Sequence, residues 1–414
     1  MPLTRSSFPR ASRSLRRDVF GRFESRIWTI TALQLLTSAG FSICIPFLAL
    51  YLYQERGLPM TLVGIVFLIG GLCSAATQMV SGMLADRFGR RPVMLGSTGI
   101  GMLLYAGLAA LIGLSAPIWT IIVIFIAGQS VRMTTRPISS AIVVDLAPKD
   151  RLTEAYGLLR VGGNLGFAAG PAVGGHLLTF LPYAWLFGVA ALTSALAFWL
   201  ILLFLRESFH GAAEQVDLRS TLSIVHDRIF LMFTGVSFLV FLTMGQLGST
   251  LSVFTVDRLG FSTAQYGLLL SMNGLIVVLL QYPVARGVEQ LAKVRGLILG
   301  SLLYGLGYLS LGWIGSFSWA LVAIAVITAG EIVFSPLALS VVAGLSTQER
   351  RGRYMGFIGL SEMIGISTAP LVGGILLDTF PSAPPFIWGV IAFLPFAAAA
   401  GFHRWSVTRC ASQL

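Results

Sequence analysis

The chain has 414 residues, of which 56% are hydrophobic and only 11% are charged, and its mean hydropathy is +0.84. Ordinary soluble domains carry about 25% charged residues, so this composition excludes a soluble globular protein and indicates a protein built into a lipid bilayer. We interpret the net charge of +11 as a matter of membrane topology and contact with anionic lipid headgroups, not as a nucleic-acid-binding surface.

Apolar stretches long enough to cross about 30 Å of hydrocarbon follow one another along the chain, six on each side of a polar interval. The predicted spans are Ile27–Leu52, Leu62–Leu84, Val93–Leu114, Ile118–Ala141, Leu158–Phe180, Ala184–Leu205, Ile229–Leu251, Tyr266–Val284, Leu297–Ile314, Trp319–Leu345, Phe357–Leu377 and Ile387–Phe402. They predict an all-α polytopic membrane protein of about twelve transmembrane helices in two six-helix bundles. The predicted division is a basic N-terminal tail (1–26), a first bundle (27–205), a linker (206–228), a second bundle (229–405) and a C-terminal tail (406–414).

The basic residues predict the orientation, because Lys and Arg near helix ends are retained on the cytoplasmic side. With a cytoplasmic N-terminus, the loops that contain Arg90, Arg151 and Arg286 all lie inside, and Arg56 and Arg258 fall on the other side. We therefore expect a multi-pass protein of the inner (cytoplasmic) membrane with both termini in the cytoplasm. The arginine-rich first 26 residues are interpreted as a cytoplasmic tail in preference to a targeting peptide, because the apolar run that follows is too long for a signal peptide.

An internal repeat relates the two halves. The segment from Arg136 to Arg151 returns in outline from Ser335 to Arg350. Further along, five positions recur at an offset of 199 residues (356 − 157): Gly157, Gly166, Pro171, Gly174 and Gly175 return as Gly356, Gly365, Pro370, Gly373 and Gly374. Duplication of a polytopic chain is typical of transporters that alternate access by rocking two similar bundles about a central site.

Charged side chains inside the predicted spans mark the central site, because charges at bilayer depth are costly and usually face an aqueous cavity. Polar amides on neighbouring helix faces belong to the same predicted site. The predicted substrate cavity comprises Gln34, Gln129, Arg132, Arg136, Arg160, Asn164, Gln246, Glu331 and Glu362. If all five charges are ionised, three positive against two negative groups suit anionic or zwitterionic solutes better than cationic ones.

The same offset suggests how protons are coupled to transport. Because 331 − 132 = 199, Arg132 and Glu331 should occupy equivalent positions in the two halves and face each other across the cavity. Our hypothesis is that Glu331, or Glu362, takes up and releases the coupling proton, with Arg132 tuning its proton affinity. The alternative is a permanent ion pair that braces the two halves.

The loop between the second and third spans carries a recognisable motif, Gly82-Met83-Leu84-Ala85-Asp86-Arg87-Phe88-Gly89-Arg90-Arg91. The pattern Gly-x-x-x-Asp-Arg-x-Gly-Arg-Arg resembles the signature of the major facilitator superfamily. The resemblance implies two pseudo-symmetric six-helix bundles, and a cytoplasmic latch in which Asp86 and Arg90 meet Asp145 and the start of the eleventh span, closed when the cavity faces outward. The predicted gate residues are Gly82, Asp86, Arg87, Gly89, Arg90, Arg91, Asp145 and Arg353.

The fifth span also resembles a pattern in this superfamily, the form associated with antiporters. Its residues are Gly157, Gly166, Gly170, Pro171, Gly174 and Gly175. Glycines at every fourth position form a smooth stripe that a neighbouring helix can approach closely, and proline can bend the helix. The resemblance implies a twelve-helix drug/proton antiporter that exports a small amphipathic or drug-like organic solute. Two features depart from it: the first span has no acid, and the usual arginine near the start of the fourth-helix motif is missing.

The sequence leaves alternatives to export open. Within transport, the alternative is a facilitator or symporter for an organic anion or lipid-like solute; outside it, a non-transporting membrane receptor or assembly partner. The sequence has no Walker-type nucleotide loop, no metal-ligand spacing among its four histidines and no nucleophile–base constellation at one depth, so we expect neither a cofactor, a metal nor an enzyme. The expected partners are the solute, protons and the bilayer, not nucleic acid, and we expect a monomer.

Overall fold

The computed structural model describes residues 23–148, 151–208, 226–288, 292–347 and 350–412. Within these ranges the chain is helical, with short turns and no strand. Most of the predicted N-terminal tail and of the predicted linker lie outside the described residues.

Seven helices make up the first half: α1 (Ser25–Leu50), α2 (Met60–Phe88), α3 (Arg90–Gly113), α4 (Ile118–Arg132), α5 (Thr135–Leu146), α6 (Leu152–Leu177) and α7 (Ala184–Phe204). A π-helical turn, Tyr51–Glu55, extends α1. The second half contains α8 (Arg228–Met244), α9 (Thr250–Val253), α10 (Thr263–Val288), α11 (Lys293–Leu311), α12 (Phe317–Leu345), α13 (Arg351–Thr379) and α14 (Pro384–Ser412). The seventh span is irregular, with a 3₁₀ turn at Gly245–Gly248 between α8 and α9 and a π-helical turn at Phe254–Arg258.

Among the described residues, 11 helical segments are long and apolar enough to cross a membrane. Helix α6 is the other long helix, with 26 residues. Its many glycines and its polar Arg160 and Asn164 lower its hydropathy, and it lies against α1 and α10. Counting α6 as the fifth span, the structure agrees with the prediction of about twelve spans.

The fourth span is broken where the sequence predicts a continuous helix. Helix α4 ends at Arg132 and α5 begins at Thr135. Pro137 has no N–H to donate, and its ring crowds the carbonyl of Met133, so the helix cannot pass through this point undisturbed. Arg132 and Arg136 therefore lie on two separate helices. The equivalent Pro336 lies inside the continuous α12.

The glycine stripe of α6 packs on α1. A Cβ atom at Gly166 would overlap the carbonyl oxygen of Leu35, and one at Gly174 would overlap that of Ile43. The Ser42 hydroxyl also donates a hydrogen bond to the Gly166 carbonyl oxygen (3.2 Å). These contacts hold α1 and α6 together inside the first bundle, whereas a Cβ at Gly157 would meet no atom within 4 Å.

The two bundles touch at one end of the molecule. We call the end that carries the turn between α2 and α3 the basic end, and the end that carries the turn between α1 and α2 the opposite end. At the opposite end, a Cβ atom at Gly267 of α10 would overlap the carbonyl oxygen of Pro171 in α6. The Thr263 hydroxyl donates to the Gly175 carbonyl oxygen (3.0 Å).

The second copy of the repeat makes the matching contact. A Cβ atom at Gly374 of α13 would overlap the carbonyl oxygen of Met60 in α2, and one at Gly64 would overlap the backbone of Leu371. Gly175 and Gly374, which are 199 residues apart, thus both lie where one bundle meets the other. The repeat in the sequence corresponds to a repeated contact that closes the opposite end.

Candidate functional site

A cavity of about 610 Å³ lies between the bundles. Its walls come from α1, α4, α5 and α6 on one side and from α8, α12 and α13 on the other. It reaches Ser140 and Tyr156, near the basic end of α5 and α6, and Leu339 and Ile358 on the facing helices. The cavity therefore extends towards the basic end, whereas the bundles are in contact at the opposite end.

A second cavity of about 350 Å³ adjoins the first. Its walls are mainly apolar and include Ile45, Phe67, Leu270 and Ile366. Five residues line both cavities: Phe41, Phe167, Met244, Glu331 and Glu362. The two cavities form one site with a polar part and an apolar part, and the two glutamates lie where the parts meet.

The structure brings most of the predicted cavity residues together. Those that line the first cavity are Gln34, Arg132, Arg136, Arg160, Asn164, Glu331 and Glu362. Gln129 lines the second cavity, where its Oε1 is buried without a hydrogen-bond partner among the described residues.

Gln246 does not line either cavity, and this prediction is wrong. Its side chain is fully buried, and its Nε2 donates to the carbonyl oxygen of Ala369 (2.9 Å). Thr250 Oγ1 donates to Gln246 Oε1 (2.5 Å). The 3₁₀ turn at Gly245–Gly248 directs the amide to α13, where Gly373 has no side chain to obstruct it. Gln246 thus ties the seventh span to α13.

Arg132 lies on an aromatic ring and not opposite an acid. Its Cζ is 3.7 Å from the centre of the Phe41 ring, a cation–π contact, and its Nε is buried without a hydrogen-bond partner among the described residues. No ion pair joins Arg132 to Glu331 among the described residues. The predicted pairing of Arg132 with Glu331 is therefore not observed.

The alternative of a permanent brace is not observed either. Within the part of the chain that the structure describes, the ion pairs include Arg26–Glu24, Arg90–Asp145 and Arg258–Asp257. None of them joins a cavity arginine to Glu331 or Glu362. Both glutamates are left available to a ligand or a proton.

Asn273 on α10 holds Glu331 in place. Its Nδ2 donates to Glu331 Oε2 (3.0 Å) and to Thr328 Oγ1 (2.9 Å). Asn273 is buried and lines the second cavity. Asn273 is absent from the predicted cavity, although an amide within an apolar span is the same kind of signal that identified Asn164.

The predicted gate residues cluster at the basic end. Arg90 Nη1 forms an ion pair with Asp145 Oδ2 and donates to the carbonyl oxygen of Ala141 (2.7 Å). Asp86 also acts electrostatically on Arg90. These partners all belong to the first bundle. Arg353, from the second bundle, lies half-buried in the first turn of α13.

The remaining motif residues shape the turn between α2 and α3. Gly89 has φ +95°, a backbone conformation that residues with a side chain rarely adopt. Arg87 Cζ lies 5.3 Å from the centre of the Phe88 ring. Arg91 Nη2 donates to the carbonyl oxygen of Leu202 (3.0 Å), and a Cβ at Gly82 would meet no atom within 4 Å.

A sequence profile described as Major Facilitator Superfamily matches residues 30–370 and 236–409, which together cover most of the chain. The chain belongs to the Major Facilitator Superfamily. It is therefore a multi-pass membrane transporter and not an enzyme. The resemblance read from the Gly82–Arg91 loop is thus confirmed for the family.

Two curated relatives and one solved structure are similar to this chain over most of its length. A Na(+), Li(+), K(+)/H(+) antiporter of Planococcus maritimus is 27% identical over 402 residues, covering 89% of this chain and 92% of the relative. The multidrug resistance protein MdtH of Salmonella typhimurium is 24% identical over 375 residues, covering 88% and 90%. The crystal structure of a POT family transporter with a thioalcohol-conjugated peptide is similar in fold, with a TM-score of 0.76, 15% identity and coverage of 92% and 96%.

In this superfamily member a glutamate outside the motif caps α3. The Glu207 carboxylate, just beyond α7, accepts hydrogen bonds from the backbone N–H groups of Arg90 and Arg91 (3.1 Å each). An anion at a helix N-terminus satisfies N–H groups that have no partner within the helix and favours the helix dipole. Glu207 was assigned from the sequence only to the linker.

Replacing Glu207 with Ala is expected to destabilise the basic end by about 1 kcal/mol, because two N–H groups of α3 lose their acceptor. Thermal unfolding of the purified protein in detergent measures the effect. Glu207→Gln, which retains an acceptor oxygen, should lose less stability than Glu207→Ala. Equal stability of Glu207→Ala and the unmodified protein would contradict the capping role.

At the opposite end, Asp378 of α13 caps α2 across the interface between the bundles. Its carboxylate accepts hydrogen bonds from the N–H groups of Met60 (3.0 Å) and Thr61 (2.7 Å) and from the Thr61 hydroxyl (2.7 Å). The equivalent residue of the first half is Thr179, so the repeat does not supply a second copy of this carboxylate cap, which we call the Asp378 latch. It can act only while the opposite end is closed.

Replacing Asp378 with Asn is expected to weaken closure of the opposite end by about 0.5–1 kcal/mol, since a charged cap of the α2 N-terminus becomes neutral. Reaction of a single cysteine at Ser367, which lines the second cavity, with a membrane-impermeant maleimide should accelerate about two- to fivefold. Glu55→Gln is the matched control, because Glu55 is an exposed carboxyl at the same end and joins no residue of the second bundle by an ion pair among the described residues. An unchanged labelling rate in Asp378→Asn would exclude the latch.

Proposed function

We propose that the chain is a proton-coupled secondary transporter that exports a small amphipathic organic solute in exchange for protons by alternating access. The observation that carries this proposal is the position of Glu331 and Glu362. Both line the two cavities where they meet, between the bundles, and neither forms an ion pair with a cavity arginine. A carboxyl group in such a place can change its protonation when the cavity changes its exposure.

The proposal includes the orientation and the division of the chain. We place the basic end in the cytoplasm because arginine-rich ends of transmembrane helices are retained there. Both termini are then cytoplasmic, in the inner membrane of the cell, and the cavity described above is open to the cytoplasm. We retain the bundles at 27–205 and 229–405, joined by a cytoplasmic linker at 206–228 between tails at 1–26 and 406–414, in a monomer.

Coupling follows from competition for the two glutamates. A solute that binds against ionised Glu331 and Glu362 disfavours their protonation, and protons disfavour the solute. The cavity then faces one side of the membrane with solute bound and the other side with protons bound. The glycine contacts and Asp378 keep the opposite end closed in one of these two states. The basic end would close when Asp86, Arg90 and Asp145 move against the start of α13, near Arg353.

Two observations favour export over import. The fifth span carries Gly157, Gly166, Gly170, Pro171, Gly174 and Gly175, in the pattern that resembles antiporters. Relatives that cover most of the chain include one named as a cation/proton antiporter and one named as a multidrug resistance protein. The apolar second cavity beside the charged first cavity supports an amphipathic solute.

Inside-out membrane vesicles with an acidic lumen test the direction. An exporter coupled to protons should accumulate rhodamine B, a zwitterionic amphipathic dye, in the lumen and release protons from it. Loss of preloaded dye under the same gradient would favour a symporter. Movement of dye at a rate independent of the proton gradient would favour a facilitator. Binding of dye without movement across the membrane would favour a receptor.

A further inference from the structure

The charges of the first cavity are sorted by bundle. Arg132, Arg136 and Arg160 all come from the first bundle, on α4, α5 and α6. Glu331 and Glu362 come from the second bundle, on α12 and α13. The cavity is therefore positive on one wall and negative on the other.

The two walls act on each other without touching. Glu362 interacts electrostatically with Arg136 and Arg160, and Glu331 with Arg160. No ion pair joins the two sets among the described side chains. A separation of this kind leaves room for a charged group of a ligand beside each wall.

Neither wall is neutralised from within its own bundle. Arg132 is stacked on Phe41, and its buried Nε has no hydrogen-bond partner among the residues that the structure describes. Glu331 accepts a hydrogen bond from the neutral amide of Asn273, which orients the carboxylate and leaves its charge uncompensated. Buried charges without partners are costly, so each wall is suited to a ligand of the opposite charge.

We propose, on the basis of the transport function above, that the solute is dipolar: an apolar body that carries one anionic and one cationic group. The arginines of the first bundle bind the anionic group, since guanidinium groups match carboxylate or phosphate oxygens. Glu331 and Glu362 bind the cationic group. The apolar body occupies the second cavity beside Phe41 and Phe167.

A solute with a single charge fits the cavity less well. An organic cation that binds the glutamates meets three uncompensated arginines, and an organic anion that binds the arginines leaves the two glutamates unpaired. Only a dipolar solute satisfies both walls. It also connects the bundles through its own charges, so that binding on one wall is linked to the position of the other.

Equilibrium binding to the purified protein tests this inference with three compounds that share a para-substituted benzene ring and differ in their charged groups. 4-(Aminomethyl)benzoate carries both charges, 4-methylbenzoate only the anion, and 4-methylbenzylamine only the cation. By isothermal titration calorimetry in detergent, the dipolar compound should bind about tenfold more tightly than either single-charge compound, as expected for one additional charge-assisted contact. Equal or tighter binding of a single-charge compound, or no binding of the dipolar one, would overturn the inference.

Two variants and a control assign each wall. In Arg132→Gln the affinity for the dipolar compound should fall towards the affinity for 4-methylbenzylamine, because the anionic group loses one of its arginine partners. In Glu331→Gln the affinity for the dipolar compound should fall towards the affinity for 4-methylbenzoate, because the cationic group loses a carboxylate partner. Arg286→Gln, at an exposed arginine outside both cavities, should leave all three affinities unchanged; if Arg132→Gln behaves in the same way, the assignment of the anionic wall fails.

The binding test does not depend on proton coupling, because no gradient is present. Dipolar preference without proton-driven flux would leave this inference standing and refute the proposed antiport. Proton-driven flux of a single-charge solute by a protein without dipolar preference would do the reverse.

Discussion

Replacing Glu331 with Gln is expected to reduce proton-driven transport to the level of protein-free vesicles while solute-for-solute exchange continues. Gln cannot take up or release a proton, but its Oε1 can accept the hydrogen bond from Asn273 Nδ2 that orients Glu331. The cavity and the fold should therefore survive; coupling should be lost, and exchange should require a higher solute concentration because the cationic group loses the charge of Glu331. Glu362→Gln, at the other carboxyl that lines both cavities, shows whether the two acids act together.

Proteoliposomes with an imposed pH gradient provide the measurement, with a pH-sensitive dye that follows protons beside the solute. Glu154→Gln is the matched control, because it removes a carboxyl from α6 at an exposed position outside both cavities. It should transport like the unmodified protein. Full proton-driven accumulation by both Glu331→Gln and Glu362→Gln would show that neither carboxyl carries the proton.

Replacing Gly267 with Leu is expected to prevent closure of the opposite end and so to stop transport. Even a Cβ atom at this position would overlap the carbonyl oxygen of Pro171, and backbone cannot move aside as a flexible side chain can. Overpacking of this kind costs about 1–3 kcal/mol, which corresponds to a shift of about 5- to 150-fold against the closed state. Because the overlap lies between the bundles, each bundle should still fold.

The readout is a cysteine at Ser367 in a background without other cysteines. In Gly267→Leu this cysteine should react faster with a membrane-impermeant maleimide that is added on the side of the membrane facing the opposite end of the molecule. Gly235→Leu is the control, since a Cβ at Gly235 meets no atom within 4 Å. If Gly267→Leu transports as well as Gly235→Leu, close contact between α6 and α10 is not needed for the cycle.

The fold could be predicted from the sequence because membrane spans and packing contacts leave strong local signals. Apolar stretches of membrane length identified the helices, and the offset that relates Gly175 to Gly374 identified the two halves. The same offset could not determine the break in the fourth span. Pro137 lies just after a break in its span, whereas Pro336 lies within a continuous helix. A repeated sequence pattern contains no information on the packing that decides whether a proline breaks a helix.

The site was predictable in composition but not in geometry. Rare charges in apolar spans identified five residues that line the first cavity. Side-chain direction depends on local backbone and packing, which is why Arg132 lies on Phe41 and Gln246 turns away into α13. Asn273 and Glu207 act through hydrogen bonds to residues far away in the sequence, and such partners are not visible in a motif.

The most direct measurement of proton-linked alternating access is a pair of distances between the bundles, one at each end. Spin labels at Leu114 and Trp313 report on the opposite end, and labels at Pro148 and Thr347 on the basic end; the residues of each pair are equivalent in the repeat, 199 positions apart. Between neutral and acidic pH, one distance should lengthen and the other shorten, and the response should vanish when Glu331 and Glu362 are both replaced with Gln. Distances that do not change with pH in the unmodified protein, or that change equally in the double variant, would contradict the account.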